Sequence, residues 1–141
     1  MDKMYDDIMS GCLFCDIING KIPAYVISSS DYSIAFLDVN PLALGHTLVI
    51  PKKHYEKIQD LDVNSCTDLF ALAQKVVKKI DTLTGSTLFA IHNGKISGQE
   101  VPHVHIHLIP RSPNDGAGPI HSMFKSIEKK DLSLVHKQLK D

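Results

Sequence analysis

Apolar and polar residues follow two different periods along the chain, and these periods predict its elements. Alternation with a period of two, or a short apolar run bounded by turn residues, predicts strands over residues 25–28, 33–37, 47–50 and 87–91. Between the last two of these strands, apolar residues recur at every third or fourth position from Leu69 to Ile80. That spacing predicts an amphipathic helix from near Asp62 or Asn64 to about Leu83.

Two shorter helices are predicted near the ends of the chain. The first covers residues 12–18 and ends at Asn19-Gly20, with Pro23 preventing its continuation. The second covers residues 131–139 and is capped by Asp131. Residues 1–11 are polar and expected to be mobile. Several antiparallel strands with one long helix predict a single α+β domain over residues 12–141, including a tail over 112–141 that begins in a loop rich in Pro, Gly, Asn and Asp.

Three of the eight histidines alternate with aliphatic residues in one further segment, residues 103–109. The period of two predicts a strand whose aliphatic side, formed by Val104, Ile106 and Leu108, faces a core. The opposite side would carry three imidazoles spaced about 6.5–7 Å apart. A row of imidazoles, each with one lone pair and one N–H when neutral, suits phosphate chemistry or metal binding.

Composition narrows the class of protein. The 141 residues are 43% hydrophobic and 22% charged, with a net charge of −1, so no broad basic surface for nucleic acid is expected. No apolar run approaches the roughly 18 residues of a membrane span, and residues 1–10 lack the apolar run of a signal peptide. Three cysteines fit a reducing compartment better than a disulfide framework, which favours a cytoplasmic protein.

Cys12 and Cys15 are the first candidates for metal binding. Two thiolates at this spacing can chelate one Zn²⁺, and a structural site needs two more ligands. Cys66 lies on the predicted long helix, so His54 and His103 are the candidates to complete a Cys₂His₂ site. The alternative is a pair of reduced cysteines without a metal. A thioredoxin-like redox pair is disfavoured because no strand precedes the motif.

His105 is the candidate nucleophile, because a neutral imidazole nitrogen can attack phosphorus and form a covalent intermediate. His107 on the same side, and His46, could contact phosphate oxygens, although the sequence alone slightly favours a solvated turn position for His46. His92 is interpreted as structural or surface. Gln99 and Asn93 could donate neutral hydrogen bonds to a phosphoryl group or serve only as turn residues. The sequence contains no P-loop and no dinucleotide-binding glycine motif.

Together these segments resemble the histidine triad (HIT) superfamily of nucleotide hydrolases and transferases. The triad His103, His105 and His107 is followed by Leu-Ile-Pro-Arg, and four further blocks match in order across residues 12–111: Cys12–Ile18, Phe36–Asp38, Gly45–His54 and Gly98–Pro102. The resemblance implies a five-stranded antiparallel sheet with one long and one short helix, usually in a homodimer whose long helices pack together. It also implies a structural zinc on Cys12, Cys15, His54 and His103.

The resemblance further implies an AMP-like purine nucleotide as ligand. His105 would attack the α-phosphorus and become a nucleotidyl-histidine that water hydrolyses, with His107 and His46 supporting the phosphate. Asp38 would bind the ribose hydroxyls. The base pocket would consist of Phe14, Ile17, Phe36, Leu37 and Val39, and the phosphate-side loop would include Asn93, Gln99 and Val101.

Two positions depart from the Hint branch of the superfamily. Glu100 stands where a serine commonly serves the leaving group, and Leu37 stands where some members have a histidine. The triad together with Asp38 and Gln99 nevertheless favours hydrolysis of purine nucleoside phosphoramidates or related adenylated compounds. The alternatives are an Fhit-like dinucleoside polyphosphate hydrolase, nucleotidyl transfer to a second phosphate, and a nucleotide-binding sensor or scaffold with incidental turnover.

Overall fold

The computed structural model describes residues 11–127 and 131–141, so the predicted mobile segment 1–11 lies outside the described residues except for Gly11. The fold is α+β, as predicted, with one five-stranded antiparallel sheet in the order β1-β2-β3-β5-β4. The elements in chain order are α1 Leu13–Ile18, β1 Val26–Ser29, β2 Ser33–Leu37, β3 Thr47–Pro51, α2 Val63–Thr84, β4 Thr87–Ile91, β5 Ile106–Pro110 and α3 Leu132–Leu139.

The long helix α2 begins and ends where local chemistry dictates. The Asp62 carboxylate accepts a hydrogen bond from the Ser65 N–H at 2.7 Å, which satisfies one of the unpaired donors of the first turn. Gly85 follows the helix with φ of 81°, a left-handed conformation that glycine adopts without a steric penalty. Leu69, Ala73, Val76 and Ile80 of the predicted apolar stripe are buried, together with Leu72, whereas Phe70 is about two-fifths exposed.

The two faces of the sheet are covered by different helices. On one face, Ala35, Val49, Ile106 and Leu108 pack with the stripe of α2 to form the main core. On the other face, a smaller cluster beneath α1 consists of Phe14, Phe36, Leu48 and Ile50. His107 belongs to this second face, because it alternates with the core residues of β5 and pairs with Leu48 of β3. The sheet thus separates a packed core from the face that carries the histidines.

The histidine segment differs in part from its prediction. Val104, Ile106 and Leu108 are buried as expected, but the strand starts only at Ile106. The backbone before it bonds to loops instead of the sheet: the His103 N–H donates to the Val101 carbonyl, and the Val104 N–H to the Tyr55 carbonyl, both at 2.8 Å. The three imidazoles are therefore not equivalent, and their surroundings differ in burial and partners.

The C-terminal helix α3 forms as predicted, with the Asp131 carboxylate accepting from the Ser133 N–H at 2.9 Å. Every described residue from Ser112 onward is exposed, including large apolar side chains such as Phe124, Leu132 and Leu139. No helix within the described residues is long and apolar enough to span a bilayer.

Candidate functional site

A cavity of about 500 Å³ opens on the face of the sheet covered by α1. Its volume falls in the range of roughly 300–1,000 Å³ that is typical of small-molecule sites. Its walls are largely apolar, because α1 presents Phe14 and Ile17 towards β2 and β3. All of the residues predicted for a base pocket line it, namely Phe14, Ile17, Phe36, Leu37 and Val39. Val101, which was predicted for the phosphate-side loop, lines it as well.

Polar groups cluster in one part of the same cavity. Six ionisable side chains line it: Asp38, His46, His92, Glu100, His105 and His107. Asp38 follows β2 and accepts a hydrogen bond from the Asn40 N–H at 2.8 Å through Oδ1, while its Oδ2 lies 3.7 Å from His46 Nε2. Among the described residues that line the cavity there is no lysine or arginine. The cavity therefore combines an apolar part with a group of imidazoles and two carboxylates.

His105 has one ring nitrogen fixed and the other free to react. Its Nδ1 lies 2.7 Å from the carbonyl oxygen of His103, so Nδ1 carries the proton and donates it. Nε2 is then left with its lone pair. The ring of Phe14 meets that of His105 edge-on, with centroids 5.0 Å apart. Burial lowers the pKa of His105, which keeps the imidazole neutral and hence nucleophilic at pH 7.

A chain of hydrogen bonds determines the protonation of two more histidines. The backbone N–H of Leu42 donates to His46 Nδ1 at 3.0 Å, which leaves the proton of neutral His46 on Nε2. His46 Nε2 lies 3.0 Å from His107 Nδ1 and so donates to it. The proton of His107 is consequently on Nε2, and this ring offers a hydrogen-bond donor beside the nucleophile, with the His105 and His107 centroids 5.0 Å apart.

Asp38, His46 and His107 lie close enough to one another to suggest a metal site. The hydrogen-bond chain argues against it. His46 Nε2 carries a proton because its Nδ1 accepts from a backbone amide that cannot be deprotonated or rotated away at low cost. A cation bound at His46 Nε2 would move the proton of the neutral ring to Nδ1. That proton would then point at the Leu42 N–H, and two donors would face each other. We therefore regard this cluster as a group of hydrogen-bond donors and acceptors.

His107 is predicted to titrate far below an ordinary histidine. Burial, followed by the neighbouring His105 and His46, lowers its pKa from 6.5 to about 4. Long-range ¹H–¹⁵N NMR should show the neutral Nε2–H tautomer of His107 from pH 7 down to about pH 5, with protonation near pH 4. The exposed His121, which lies outside the cavity, serves as the spectral control.

The same shift links stability to pH. Between pH 6.5 and 4 the unfolded chain binds a proton at His107 that the folded chain does not, so the free energy of unfolding falls as the pH is lowered through this window. Urea titrations should show a shallower pH dependence for His107→Asn than for the wild type. A titration of His107 near pH 6.5 would contradict both expectations.

Two residues predicted as phosphate-side donors do not line the cavity. The side-chain amide of Gln99 is buried and donates to the carbonyls of Glu56 at 2.7 Å and Val101 at 3.1 Å, while its Oε1 accepts from the Gly94 N–H at 2.8 Å. Asn93 accepts from the Ile58 N–H and donates to Gln59 Oε1, both at 2.9 Å. Both amides hold the loops around residues 56–60 and 94–101 together, so a direct contact with a ligand stays a prediction.

His92 and Glu100 also line the cavity, whereas the sequence predicts a structural or surface role for His92 and leaves the role of Glu100 open. The His92 ring lies 5.4 Å from that of His107, centroid to centroid. Strand register could have located it: Ile91 pairs with Ile106, so the residue after β4 lies beside the residue before β5, which is His105. His92 also packs against Gly98, where an added Cβ would approach its ring to 3.5 Å.

A second cluster lies on the other side of Phe14. Cys12 and Cys15, at the start of α1, meet His54, after β3, and His103, before β5. His103 is fully buried, and its Nε2 donates to the Pro51 carbonyl at 2.8 Å, which leaves a lone pair on Nδ1 towards the cysteines. The Cys15 N–H donates to Cys12 Sγ at 3.4 Å. Burial, followed by the hydrogen bond and charge of Cys12, raises the pKa of Cys15 to about 11.

The spacing of these four donor atoms fits a tetrahedral metal ion. Zinc bonds of about 2.0–2.1 Å to nitrogen and 2.3 Å to sulfur require nitrogen–nitrogen edges of roughly 3.3 Å and nitrogen–sulfur edges of roughly 3.5 Å. His54 Nδ1 and His103 Nδ1 are 3.2 Å apart. Cys15 Sγ lies 3.3 Å from His54 Nδ1 and 3.6 Å from His103 Nδ1, and Cys12 Sγ lies 3.5 Å from His103 Nδ1.

Sheet order, cavity and histidine cluster together define a histidine-triad type of nucleotide-binding fold, and comparison with known proteins agrees. The family model of the HIT domain matches residues 19–114. The adenosine 5'-monophosphoramidase HNT1 of Saccharomyces cerevisiae is 37% identical over 130 residues, which cover 92% of this chain and 81% of the yeast protein. The chain therefore belongs to the HIT domain family.

Solved structures show the same similarity. A HIT family protein of Bacillus subtilis superposes with a TM-score of 0.80 at 31% identity, covering 91% of this chain and 94% of that one. A zinc-bound histidine triad family protein of Mycobacterium smegmatis superposes with a TM-score of 0.68 at 32% identity, covering 74% of this chain and 77% of the other.

Proposed function

We propose that this protein is a nucleotide hydrolase that cleaves the bond between the α-phosphorus and the leaving group in purine nucleoside phosphoramidates or related adenylated compounds. The observation that carries the proposal is His105, whose Nε2 lone pair is left free by the Nδ1–H donation to His103 at 2.7 Å. This nitrogen belongs to a residue lining a nucleotide-sized cavity. The activity in the name of the yeast relative supports the same reaction class.

The cavity suggests how an AMP unit would bind. The base would lie among the apolar side chains around Phe14, Phe36 and Val101. Asp38 Oδ2 would accept from the ribose hydroxyls, since Oδ1 is occupied by the Asn40 N–H. The Nε2–H of His107 would donate to a phosphate oxygen, and His46 would keep that proton in place through its own bond to His107. Gln99 and Asn93 would act as positioning residues through the loops that they connect.

The proposed reaction has two displacements at phosphorus. His105 Nε2 forms a bond to the α-phosphorus as the phosphorus–nitrogen bond to the amine breaks, and the departing nitrogen takes up a proton from solvent and leaves as the amine. The Nε2–H of neutral His107 stays in place as a hydrogen-bond donor to a phosphate oxygen. The nucleotidyl-histidine is cationic, and its Nδ1–H remains bonded to the His103 carbonyl. Water then attacks the same phosphorus as its bond to His105 Nε2 breaks, and the proton of the attacking water returns to solvent. AMP leaves, and His105 is again a neutral imidazole.

An Fhit-like activity on dinucleoside polyphosphates is less well supported. Such substrates carry additional phosphates, which proteins bind with lysine and arginine. The described lining of the cavity contains neither residue, and its two permanently charged groups are the carboxylates of Asp38 and Glu100. Phosphoramidates need no additional cationic site, because their leaving group is an amine.

Incubation with adenosine 5'-phosphoramidate and, separately, with diadenosine tri- and tetraphosphate tests the proposal. Release of AMP is followed by ³¹P NMR or chromatography. We expect turnover of the phosphoramidate with a higher kcat/KM than for either polyphosphate. Binding of AMP without turnover of any of the three would contradict hydrolysis and favour a sensor or scaffold.

The cluster of Cys12, Cys15, His54 and His103 is proposed to hold one structural zinc. The donor spacing fits, the Nε2–H of His103 is oriented by a carbonyl, and a solved relative binds zinc. All four donors come from the protein, so the ion would supply cross-linking between α1, β3 and β5 and no position for substrate. Thiolate ligands also suit the reducing cytoplasm expected for this protein.

The face formed by α2 and β4 is proposed to pack against a second copy. Phe70 and Phe89 are each about two-fifths exposed and stack with centroids 5.8 Å apart, next to Val77 and the edge of the sheet. Sedimentation should give twice the mass of the chain, and Phe70→Glu should yield monomers. A monomeric wild type would contradict this arrangement.

A further inference from the structure

Glu100 has an exposed carboxylate that lines the cavity near the nucleophile. Glu100 lines the same cavity as His105 and His107, so its charge lies in the space that would hold the reacting groups. Glu100 also stands where the Hint branch commonly has a serine serving the leaving group. Glu100 thus places a negative charge in the part of the cavity where the leaving group is expected to lie.

The loop that carries Glu100 is anchored on both sides. Gln99 is turned inward, and its three hydrogen bonds fix it to Glu56, Gly94 and Val101. Gly98 packs against the ring of His92 and adopts φ of 113°, where a side chain would be strained. Because the buried Gln99 and the cavity-lining Gly98 and Val101 flank it, Glu100 is held at the cavity.

Nothing in the described lining of the cavity neutralises this carboxylate with a permanent charge. His46 and His107 have lowered pKa values and are neutral at pH 7. Asp38 adds a second negative charge on the ribose side. A nucleoside monophosphate brings its own negative charge, so the leaving group is the part of the substrate where a positive charge would be favourable.

We propose that Glu100 is a specificity-determining residue that selects phosphoramidates whose amine leaving group carries a second, cationic group, and disfavours anionic leaving groups such as phosphate, sulfate or a carboxylated amine. This inference rests on the proposed hydrolase activity and names the leaving group for the same site. A diamine or a basic amino acid linked to AMP through one nitrogen has the required chemistry. The second ammonium would lie against the Glu100 carboxylate while the reacting nitrogen lies against His107.

The size of the effect follows from the exposure of Glu100. An ion pair in contact with water is worth a factor of about two to five, and a like-charged pair costs a similar factor. Between a cationic and an anionic leaving group of equal length, kcat/KM should therefore differ by about tenfold at low salt. The difference should shrink at 1 M salt, where the screening length is about 3 Å.

Three AMP amides of matched length test the inference. Their amines are 1,4-diaminobutane, butylamine and 4-aminobutyrate, whose distal groups are cationic, neutral and anionic. The wild type should show kcat/KM in that order. Glu100→Gln should bring the three values within about twofold, and Glu100→Lys should reverse the order. Asp31→Asn removes an equal charge from an exposed turn away from the cavity and should leave the wild-type order unchanged.

The outcomes separate this inference from the function on which it rests. AMP release from all three amides with the same ratios in wild type and Glu100→Gln would overturn the role of Glu100 and leave the hydrolase intact. Release from none of the three would overturn both. Ratios that change in Asp31→Asn as much as in Glu100→Gln would show an effect of net charge and would also overturn it. Circular dichroism verifies that each variant is folded.

Discussion

His105→Ala is expected to lower kcat/KM for adenosine 5'-phosphoramidate by at least about 10³-fold. The Nδ1–H of His105 is held by the His103 carbonyl, which leaves the Nε2 lone pair free beside the ring of His107 with its Nε2–H donor. Alanine removes the nucleophile and leaves the cavity wall of Phe14 and Val101 in place. AMP should therefore still bind within about tenfold of its wild-type affinity, and the loss should fall on kcat.

A direct measurement of the intermediate makes this result specific. Brief mixing with a substrate labelled at the α-phosphorus, followed by an alkaline quench that preserves phosphorus–nitrogen bonds, should leave label on the wild-type chain. Mass spectrometry should place it on the peptide containing residues 103–107. His121→Ala, which removes an exposed histidine of the tail, should retain both label and turnover. Turnover by His105→Ala within tenfold of wild type would contradict covalent catalysis at this residue.

The apolar pattern predicted most of the fold because burial follows periodicity. The stripe of α2 from Leu69 to Ile80 and the alternation in β5 correspond to the two sides of one core, and the caps Asp62 and Gly85 define the ends of the long helix. The pattern is less informative where the hydrogen-bond partner of a residue is distant in sequence. The period of two predicts a strand from His103, but β5 starts only at Ile106. The Val104 N–H bonds to the Tyr55 carbonyl instead of the sheet, a contact that no local period can indicate.

In the candidate site, too, the sequence indicates which residue types are suited to the chemistry but not which hydrogen-bond partners they have in the fold. A cavity-lining position for His107 followed from alternation, but its protonation depends on His46 and the backbone of Leu42, which only the folded chain brings together. Gln99 is a plausible phosphate donor by its chemistry, and its amide is nevertheless occupied by three loop contacts. For His92 the sequence predicts only a structural or surface role, because a single histidine at a strand end has many uses.

Cys15→Ser is expected to lower both stability and nucleotide affinity, because the proposed zinc holds the helix that forms one wall of the cavity. Helix α1 has only six residues, too few to be stable alone, and it carries both cysteines at its start and Phe14 between them. The centroid of the Phe14 ring lies 5.8 Å from that of His103 and 5.0 Å from that of His105, in edge-on contact with both. Loosening α1 therefore disturbs the base pocket as well as the core.

We expect the wild type to contain one zinc per chain, and Cys15→Ser to contain little. Loss of a four-ligand cross-link between α1, β3 and β5 should lower the melting temperature by about 10–20 °C, equivalent to a few kcal/mol for a domain of this size. KM for the phosphoramidate should rise more than kcat falls, because the Nδ1–H bond of His105 to the His103 carbonyl does not involve Cys15.

Cys66→Ser is the matched control, because Cys66 lies on α2 outside the metal cluster and the substitution removes a thiol in the same way. It should keep the zinc content, the melting temperature within about 3 °C and the wild-type KM. Removal of metal from the wild type by a chelator should reproduce the Cys15→Ser phenotype, and added zinc should reverse it. Wild-type protein without zinc, or a Cys15→Ser variant as stable as Cys66→Ser, would contradict a structural zinc and leave the four residues as a hydrogen-bonded cluster.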